Sequence, residues 1–233
     1  MPDATSSHLD IDLNGLSAAD VAALGSATLH EAGGRIGAIP AAIRPVTPSP
    51  AFAGPAVTVA GPPGDNLWLH RAVYESKPGD VLVATVSGAY EWGYWGELLT
   101  CAAQERGIAA VVIDGCVRDL ARLAELGLPV FARGSAIRGT MKASEGAGTI
   151  NERLVMGEIV VHPGDWVVGD EDGVVVIPLE RLAAVVAAGQ ERLRKEAHLM
   201  QELRDGKRTL DLYDFPADPR AGRNGQAADT SNR

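Results

Sequence analysis

The middle of the chain alternates short, continuous apolar runs with segments whose apolar residues recur at helical spacing. The continuous runs are rich in Val and Ile, which is typical of strands buried on both faces of a sheet. Strands that alternate with helices pair in parallel, so this region predicts a doubly wound α/β sheet. The predicted strands cover 56–60, 81–86, 108–113 and 128–132, and the predicted helices between them cover 67–76, 97–106 and 119–126.

The flanking segments follow other patterns. A single helix is predicted over 21–31, because Ala, Leu and Val lie at helical spacing and Gly33-Gly34 follows as a helix end. Strands and turns alone are predicted over 158–178, and a long helix over 179–204. We predict one domain over 1–216. It includes a proline-rich connection at 40–55 and a loop at 134–149, and a polar, disordered tail follows over 217–233.

Composition narrows the class of protein. Hydrophobic residues make up 46% and charged residues 22%, which indicates a globular chain. The net charge of −9 argues against non-specific nucleic-acid binding, which needs clustered Lys and Arg. The N-terminus does not resemble a signal peptide, and no apolar run approaches the roughly 20 residues of a membrane span. With only Cys101 and Cys116 present, we expect a cytoplasmic protein with reduced thiols and no membrane partner.

The first candidate site is the segment from Gly93 to Leu99, which joins a predicted strand to a predicted helix. Glycines before a helix let backbone N–H groups approach a ligand, and the amino end of a helix favours an anion. A glycine-rich turn that merely starts the helix is the alternative interpretation.

The second candidate is the segment from Asp114 to Asp119, at the carboxyl end of the next predicted strand, where ligands gather in α/β sheets. Arg118 can bind a carboxylate through two hydrogen bonds, and Asp119 can bind a hard divalent cation. A surface arginine beside a helix-capping aspartate is the alternative. Because the two segments follow adjacent strands, together they can hold a metal ion and an anionic oxo acid.

These segments resemble the RraA-like family, and within it the branch of 4-hydroxy-4-methyl-2-oxoglutarate / 4-carboxy-4-hydroxy-2-oxoadipate aldolases. The resemblance runs from about residue 24 to residue 215. It rests on Gly96-Glu-Leu-Leu99, Arg106-Gly107, Val112-Ile-Asp-Gly115 and Arg118-Asp119, and it also includes Gly61-Pro-Pro-Gly-Asp-Asn66, Lys77-Pro-Gly-Asp80, 170–176 and 210–213.

The resemblance implies a layered α/β/β/α swivelling fold, assembled as homotrimers or homohexamers with active sites between subunits. It implies a class II pyruvate aldolase that depends on Mg²⁺ or Mn²⁺, cleaves a 4-hydroxy-2-oxo acid to pyruvate and a second oxo acid, and often decarboxylates oxaloacetate. A metal ion of this kind stabilises the enolate that cleavage leaves behind.

The resemblance also implies roles for single residues. Asp119 binds the metal, and Glu97 binds it directly or through water. Arg118 binds the oxo-acid oxygens, and the N–H groups of Leu98 and Leu99, after Gly96, take the carboxylate. A further metal carboxylate comes from the neighbouring subunit's C-terminal helix, where Glu196 matches best and Glu191 competes.

Two questions stay open at the level of sequence. Some RraA-like proteins bind and inhibit a ribonuclease, and a methyltransferase name is also attached to the family. Asp119 favours the enzyme over the regulator, and no glycine-rich nucleotide motif favours the methyltransferase. The aromatic residues between Tyr90 and Trp95 either reshape the pocket for a larger substrate or pack a subunit interface.

Overall fold

The structure is a computed structural model that describes residues 15–48, 51–143, 147–213, 215, 216 and 218. The chain divides into two compact units, with the boundary between Arg192 and Leu193. The domain limits predicted from the sequence stay predictions, and the tail predicted over 217–233 lies, apart from Asp218, outside the described residues. None of the described helices is both long and apolar enough to cross a bilayer.

The helices between the central strands form where helical spacing predicted them, each with one end shifted by a single residue. The described helices are α1 Ala18–Ala22, α2 Ser26–Ala32, α3 Leu67–Glu75, α4 Glu97–Glu105, α5 Leu120–Leu126, α6 Leu182–Arg204 and α7 Thr209–Leu212, with a short 3-10 turn at Leu179–Arg181.

The single helix predicted over 21–31 is wrong. Gly25 takes a left-handed φ of 84° and separates α1 from α2. The backbone N–H of Ser26 donates to the Asp170 carboxylate at 2.6 Å instead of to a carbonyl of the preceding turn, and the Ser26 hydroxyl donates to the same carboxylate. An acceptor 144 residues away therefore decides where α2 begins, which helical spacing alone could not indicate.

The strands fall into one large sheet and two small ones. They are β1 Arg44–Pro45, β2 Phe52–Ala60, β3 Val81–Thr85, β4 Gly93–Trp95, β5 Ala110–Asp114, β6 Cys116–Val117, β7 Val130–Ala132, β8 Gly134–Ser135, β9 Thr149–Ile150, β10 Leu154–Met156, β11 Ile159–Val161, β12 Trp166–Asp170 and β13 Gly173–Ile177. The large sheet has the order β1-β7-β5-β3-β2-β12-β13, with β9 also paired to β2.

Parallel pairing is confined to the middle of this sheet. Strands β2, β3, β5 and β7 run parallel, as the alternation with helices predicted. β1, β9, β12 and β13 join antiparallel, and β12 and β13 form the hairpin predicted from the segment before Val174. The prediction of a plain doubly wound sheet is therefore incomplete, because the observed sheet has antiparallel strands at both ends.

The central strands bury both faces, because successive side chains of a strand point to opposite sides. Leu82 and Ala84 of β3 pack into a core shared with α3, α4 and α5. Val81 and Val83 of the same strand pack into a second core with β10, β11, β12 and β13. The sheet is thus covered by helices on one face and by further strands on the other.

A three-stranded parallel sheet extends the carboxyl ends of the central strands. β4, β6 and β8 follow β3, β5 and β7 in the chain and pair in the order β4-β6-β8. The loop predicted over 134–149 therefore begins with a strand. This small sheet brings the ends of three successive strands together immediately before α4 and α5.

Two matching Pro-Gly-Asp turns precede β3 and β12. In each, the glycine has a left-handed φ, 89° at Gly79 and 85° at Gly164. In each, the buried aspartate accepts a hydrogen bond from the backbone N–H three residues earlier, at 2.7 Å for Asp80 and 2.8 Å for Asp165. Asp165 also accepts from the Leu179 N–H.

We expect Asp165→Ala to lower the free energy of unfolding by about 1–3 kcal/mol, because two backbone donors lose a buried acceptor. Chemical denaturation monitored by circular dichroism measures the change. Asp172→Ala removes an exposed carboxylate from the neighbouring hairpin and should change stability by less than about 0.5 kcal/mol. Equal effects of the two substitutions would contradict the role given to Asp165.

Candidate functional site

Arg118 and Asp119 lie between β6 and α5, and Asp119 has an unusual backbone. Its φ of 61° and ψ of 37° are left-handed, a conformation uncommon for residues other than glycine but better tolerated by Asp and Asn. Its side chain does not cap α5. Instead Oδ2 accepts the Glu97 N–H at 3.2 Å and lies 3.7 Å from Nε of Arg118. The carboxylate therefore links the start of α5 to the start of α4.

Two glycines make this approach possible. A Cβ on Gly96 would lie 2.5 Å from Oδ2 of Asp119, and a Cβ on Gly93 would lie 2.5 Å from the Ala136 carbonyl oxygen. Both positions also face the side-chain stem of Arg118, at 3.1 Å. These glycines are thus required by packing against Arg118 and Asp119, not by a left-handed φ.

The amino end of α4 presents backbone donors at the same place. The helix begins at Glu97, so the N–H groups of Leu98 and Leu99 belong to its first turn and have no intrahelical acceptor. Thr100 fixes this turn, since its hydroxyl donates to the Gly96 carbonyl and accepts from the Trp95 indole. An anion can bind here through N–H groups and the helix dipole.

These elements enclose a cleft of about 260 Å³. It brings together the predicted residues Gly96, Glu97, Leu98, Leu99, Arg118 and Asp119. Glu196 lies on α6 beyond Arg192, in the second compact unit, and its role in the site stays a prediction. A more open hollow of about 430 Å³ shares Arg118 and Asp119 and is otherwise lined by Leu120, Ser135, Ala136 and Ile137.

Three further polar residues line the cleft, namely Asn66, His70 and Lys142. The sequence predicted no role for them. Asn66 and His70 lie at the start of α3, and Lys142 lies in a distant segment that pairs with the α3 entry. The Asn66 N–H donates to the Met141 carbonyl, and Asp65 accepts the N–H groups of both Leu67 and Ala143. The sequence signal for Asn66 was the motif from Gly61 to Asn66, which is part of the family resemblance but does not indicate a chemical role.

The aromatic segment before α4 packs inward. Tyr94 and Trp95 are fully buried in the core under the helices. The Tyr94 hydroxyl accepts from the Gly64 N–H and donates to the Ala89 carbonyl, and burial raises the pKa of this phenol. Trp92 packs against Gly64 with the Arg138 guanidinium over its ring. The side chains of Tyr94 and Trp95 therefore belong to the core and expose no surface to solvent.

The donor set of the cleft fits a hard divalent cation. Asp119 and Glu97 bring two carboxylate side chains to it. Across the described ranges, no group of three or more His, Cys, Asp and Glu side chains forms a ready cluster for a metal. Mg²⁺ commonly keeps several waters and uses one or two protein carboxylates, so this pair suits Mg²⁺ or Mn²⁺ better than structural zinc. Burial raises the pKa of the neighbouring Cys116 thiol, which disfavours a thiolate ligand there.

Fold and cleft together define a layered α/β protein whose polar site lies at the carboxyl ends of parallel strands. The RraA-like family, described as Aldolase/RraA, matches residues 12–176. The chain belongs to the RraA-like family. This confirms the predicted family.

Individual relatives agree with this assignment. A protein of Halalkalibacterium halodurans named "Putative 4-hydroxy-4-methyl-2-oxoglutarate aldolase" is 40% identical over 136 residues, which cover 58% of this chain and 64% of that protein. An uncharacterized protein from Pseudomonas syringae pv. tomato has a similar structure, with a TM-score of 0.71, 27% identity and coverage of 82% of this chain and 92% of that one. The RNA-processing inhibitor RraA from Thermus thermophilus has a TM-score of 0.61 at 27% identity, covering 66% and 92%. The predicted layered fold is thereby confirmed.

We expect the imidazole of His70 to titrate below its usual pKa of about 6.5. Burial lowers the pKa most, and the positive charge of Lys142 lowers it further, while Asp65 opposes both. Histidine NMR signals followed against pH measure the midpoint. Lys142→Gln should raise the midpoint and Lys77→Gln should not, because Lys142, and not Lys77, lowers the pKa of His70. If Lys142→Gln leaves the titration midpoint unchanged, the charge of Lys142 does not affect the pKa of His70.

Proposed function

We propose that this protein is a divalent-metal-dependent lyase that cleaves a 4-hydroxy-2-oxo acid to pyruvate and a second oxo acid, with oxaloacetate decarboxylation as a side activity. The observation that carries the proposal is the meeting of Arg118, Asp119 and the first turn of α4 in one cleft. The Arg118 guanidinium, the carboxylates of Glu97 and Asp119 and the backbone N–H groups of α4 surround a space that fits a small oxo acid. The aldolase name of the Halalkalibacterium relative supports the same reaction class.

Each cleft residue has a task in this reaction. Arg118 binds the oxo-acid oxygens through its guanidinium, and the N–H groups of Leu98 and Leu99 bind the carboxylate at the amino end of α4. Asp119 would hold the cation, with Glu97 beside it or acting through water. When bound, the cation supplies Lewis-acid stabilisation of the negative charge that develops on the oxo acid.

The bond changes balance without a further reactant. The C3–C4 bond breaks and its electron pair stays on C3, which gives the enolate of pyruvate. The C4 hydroxyl loses its proton as C4 becomes a carbonyl, and C3 takes up a proton. We assign this proton transfer to water beside the Glu97 carboxylate. Arg118 opposes the charge as it grows, which is where an electrostatic contact accelerates a reaction most.

A regulatory role is the second candidate, and the structural similarity to the RNA-processing inhibitor RraA favours it. In that case the protein binds a ribonuclease and has no turnover of its own. Purified protein that inhibits RNA cleavage, and that releases no pyruvate from oxaloacetate or 4-hydroxy-4-methyl-2-oxoglutarate with Mg²⁺ or Mn²⁺, would establish the regulator over the lyase.

We expect exhaustive EDTA treatment to abolish pyruvate release and added Mg²⁺ or Mn²⁺ to restore it. Asp119→Asn should abolish the restored activity, because the amide keeps the left-handed backbone but lacks the charge that binds a cation. A lactate-dehydrogenase-coupled pyruvate assay measures turnover, and thermal unfolding checks that the variant is folded. Full turnover after EDTA, or in Asp119→Asn, would refute the role of Asp119 as metal ligand.

We expect Arg118→Lys to be nearly as damaging as Arg118→Ala. Lysine keeps the charge but loses the planar group that binds two oxygens at once. The loss should be about a hundredfold in kcat, or roughly 3 kcal/mol, as for a contact that strengthens in the transition state. Steady-state kinetics on oxaloacetate and on 4-hydroxy-4-methyl-2-oxoglutarate measure it. A lysine variant with most of the original kcat would show that Arg118 acts only as a distant charge.

A further inference from the structure

Arg133 makes two side-chain contacts that the proposed chemistry does not use. It lies between β7 and β8, and only 25% of its side chain is exposed. Its Nε donates to Oδ1 of Asp114, whose side chain is only 10% exposed. The guanidinium also lies over the Tyr90 ring, 3.8 Å from the ring centre. Arg133 and these two partners lie outside the lining of the cleft.

The three side chains meet at the entry to β6, and we call them the β6 clamp. β6 is the middle strand of the small sheet, with Tyr90 before β4 on one side and Arg133 before β8 on the other. The Tyr90 carbonyl accepts the Cys116 N–H at 3.0 Å, and the Arg133 N–H donates to the Gly115 carbonyl at 3.0 Å. The two side chains then contact each other across the strand, and Asp114, at the end of β5, binds the guanidinium.

Strand β6 leads directly to the reacting groups. It has only two residues, and Arg118 and Asp119 follow it. Two backbone bonds hold its far end, because the Arg118 N–H donates to the Trp95 carbonyl and the Ala136 N–H donates to the Val117 carbonyl. Asp119 then takes a left-handed backbone, which persists only where the surroundings hold it. A shift at the entry of so short a strand therefore reaches both side chains.

Stability alone is a weak reason for this ion pair. Taking two charges out of water costs about as much as their attraction returns, so well-packed apolar residues are often equally or more stable. Apolar side chains do not supply direction. The planar guanidinium does, through its hydrogen bond and its stacking on an aromatic ring. We propose that the β6 clamp places Arg118 and Asp119 for the reaction, with Arg133 as the positioning residue.

This inference rests on the proposed function, in which Arg118 and Asp119 act on the substrate and the cation. The clamp itself touches neither. Turnover of oxaloacetate and of 4-hydroxy-4-methyl-2-oxoglutarate should depend on it alike, because both reactions need the same two residues. Misplacing such groups by about 1 Å can cost about a hundredfold in rate. Replacing a residue that supports a metal ligand typically costs about tenfold to a hundredfold.

The central test separates position from stability. Arg133→Met alone leaves the Asp114 carboxylate buried and unpaired, so it should destabilise the fold. The double variant Asp114→Asn/Arg133→Met removes both charges and should recover most of that stability, which denaturant unfolding measures. We nevertheless expect it to lose about tenfold or more in kcat on both substrates with Mn²⁺. Arg122→Met is the control, because it breaks only an exposed ion pair with Glu125, and it should keep kcat within about twofold.

The ring of Tyr90 offers a second test in which no charge loses its partner. Tyr90→Phe keeps the aromatic face under the guanidinium and should keep kcat within about twofold. Tyr90→Leu removes that face, so kcat should fall about fivefold or more. Steady-state kinetics on oxaloacetate with Mn²⁺ compare the two variants.

A measurement without turnover separates this inference from the proposed function. Amide hydrogen exchange followed by NMR reports the N–H groups of Cys116 and Arg118, which donate to Tyr90 and Trp95. In the double variant both should exchange about tenfold or more faster, relative to the amides of β3 and β5. If the original protein releases no pyruvate from either substrate, the lyase is refuted, and hydrogen exchange alone then decides whether the clamp fixes β6.

Two results would overturn the inference. A double variant that regains stability and turnover together shows that the ion pair only stabilises the fold. Unchanged exchange of the Cys116 and Arg118 amides shows that β6 keeps its place without the clamp. If the double variant does not fold, the two Tyr90 variants decide, and equal kcat in Tyr90→Leu and Tyr90→Phe overturns the role of the clamp.

Discussion

The hydrogen bond from the Glu97 N–H to the Asp119 carboxylate joins two β–α connections that are 22 residues apart in the chain. It forms because Asp119 takes a left-handed conformation and because Gly96 has no side chain to keep the carboxylate away. This bond holds the start of α4 close to the start of α5. Arg118, the first N–H groups of α4 and the polar wall from α3 are all arranged around it, so the cleft depends on one locally unfavourable residue that its surroundings hold in place.

Strand β4 serves the cleft with its backbone and the core with its side chains. The Trp95 carbonyl accepts from the Arg118 N–H, and the Tyr94 carbonyl accepts from Asn66. The two rings are buried on the other side and fix the strand through bonds to Thr100, Gly64 and Ala89. The buried rings of Tyr94 and Trp95 therefore hold the backbone that forms this wall of the cleft in place.

Much of the architecture follows from hydrophobic patterning, because the central strands are continuous apolar runs and the helices between them show a helical period. The pairing of Arg118-Asp119 with the segment around Gly96 could also be predicted, since both follow adjacent parallel strands. The strands β4, β6 and β8 could not, because two or three residues show no periodicity. The break at Gly25 depends on Asp170, and the approach of Lys142 to Asn66 depends on backbone bonds between segments about 75 residues apart, so neither has a local signal.

Lys142 belongs to a segment that is attached to the rest of the cleft through its backbone. The segment 136–143 joins the rest of the site mainly through backbone groups, where Arg138 accepts from Gly93, Met141 exchanges bonds with Gly64 and Asn66, and Ala143 donates to Asp65. Bonds of this kind persist when side chains change, provided that the Asp65 carboxylate stays. Arg118, Asp119 and the first turn of α4 sit on separate strand ends. The segment between Ala136 and Ala143 is therefore a place where the cleft wall can change its side chains while these three features keep their positions.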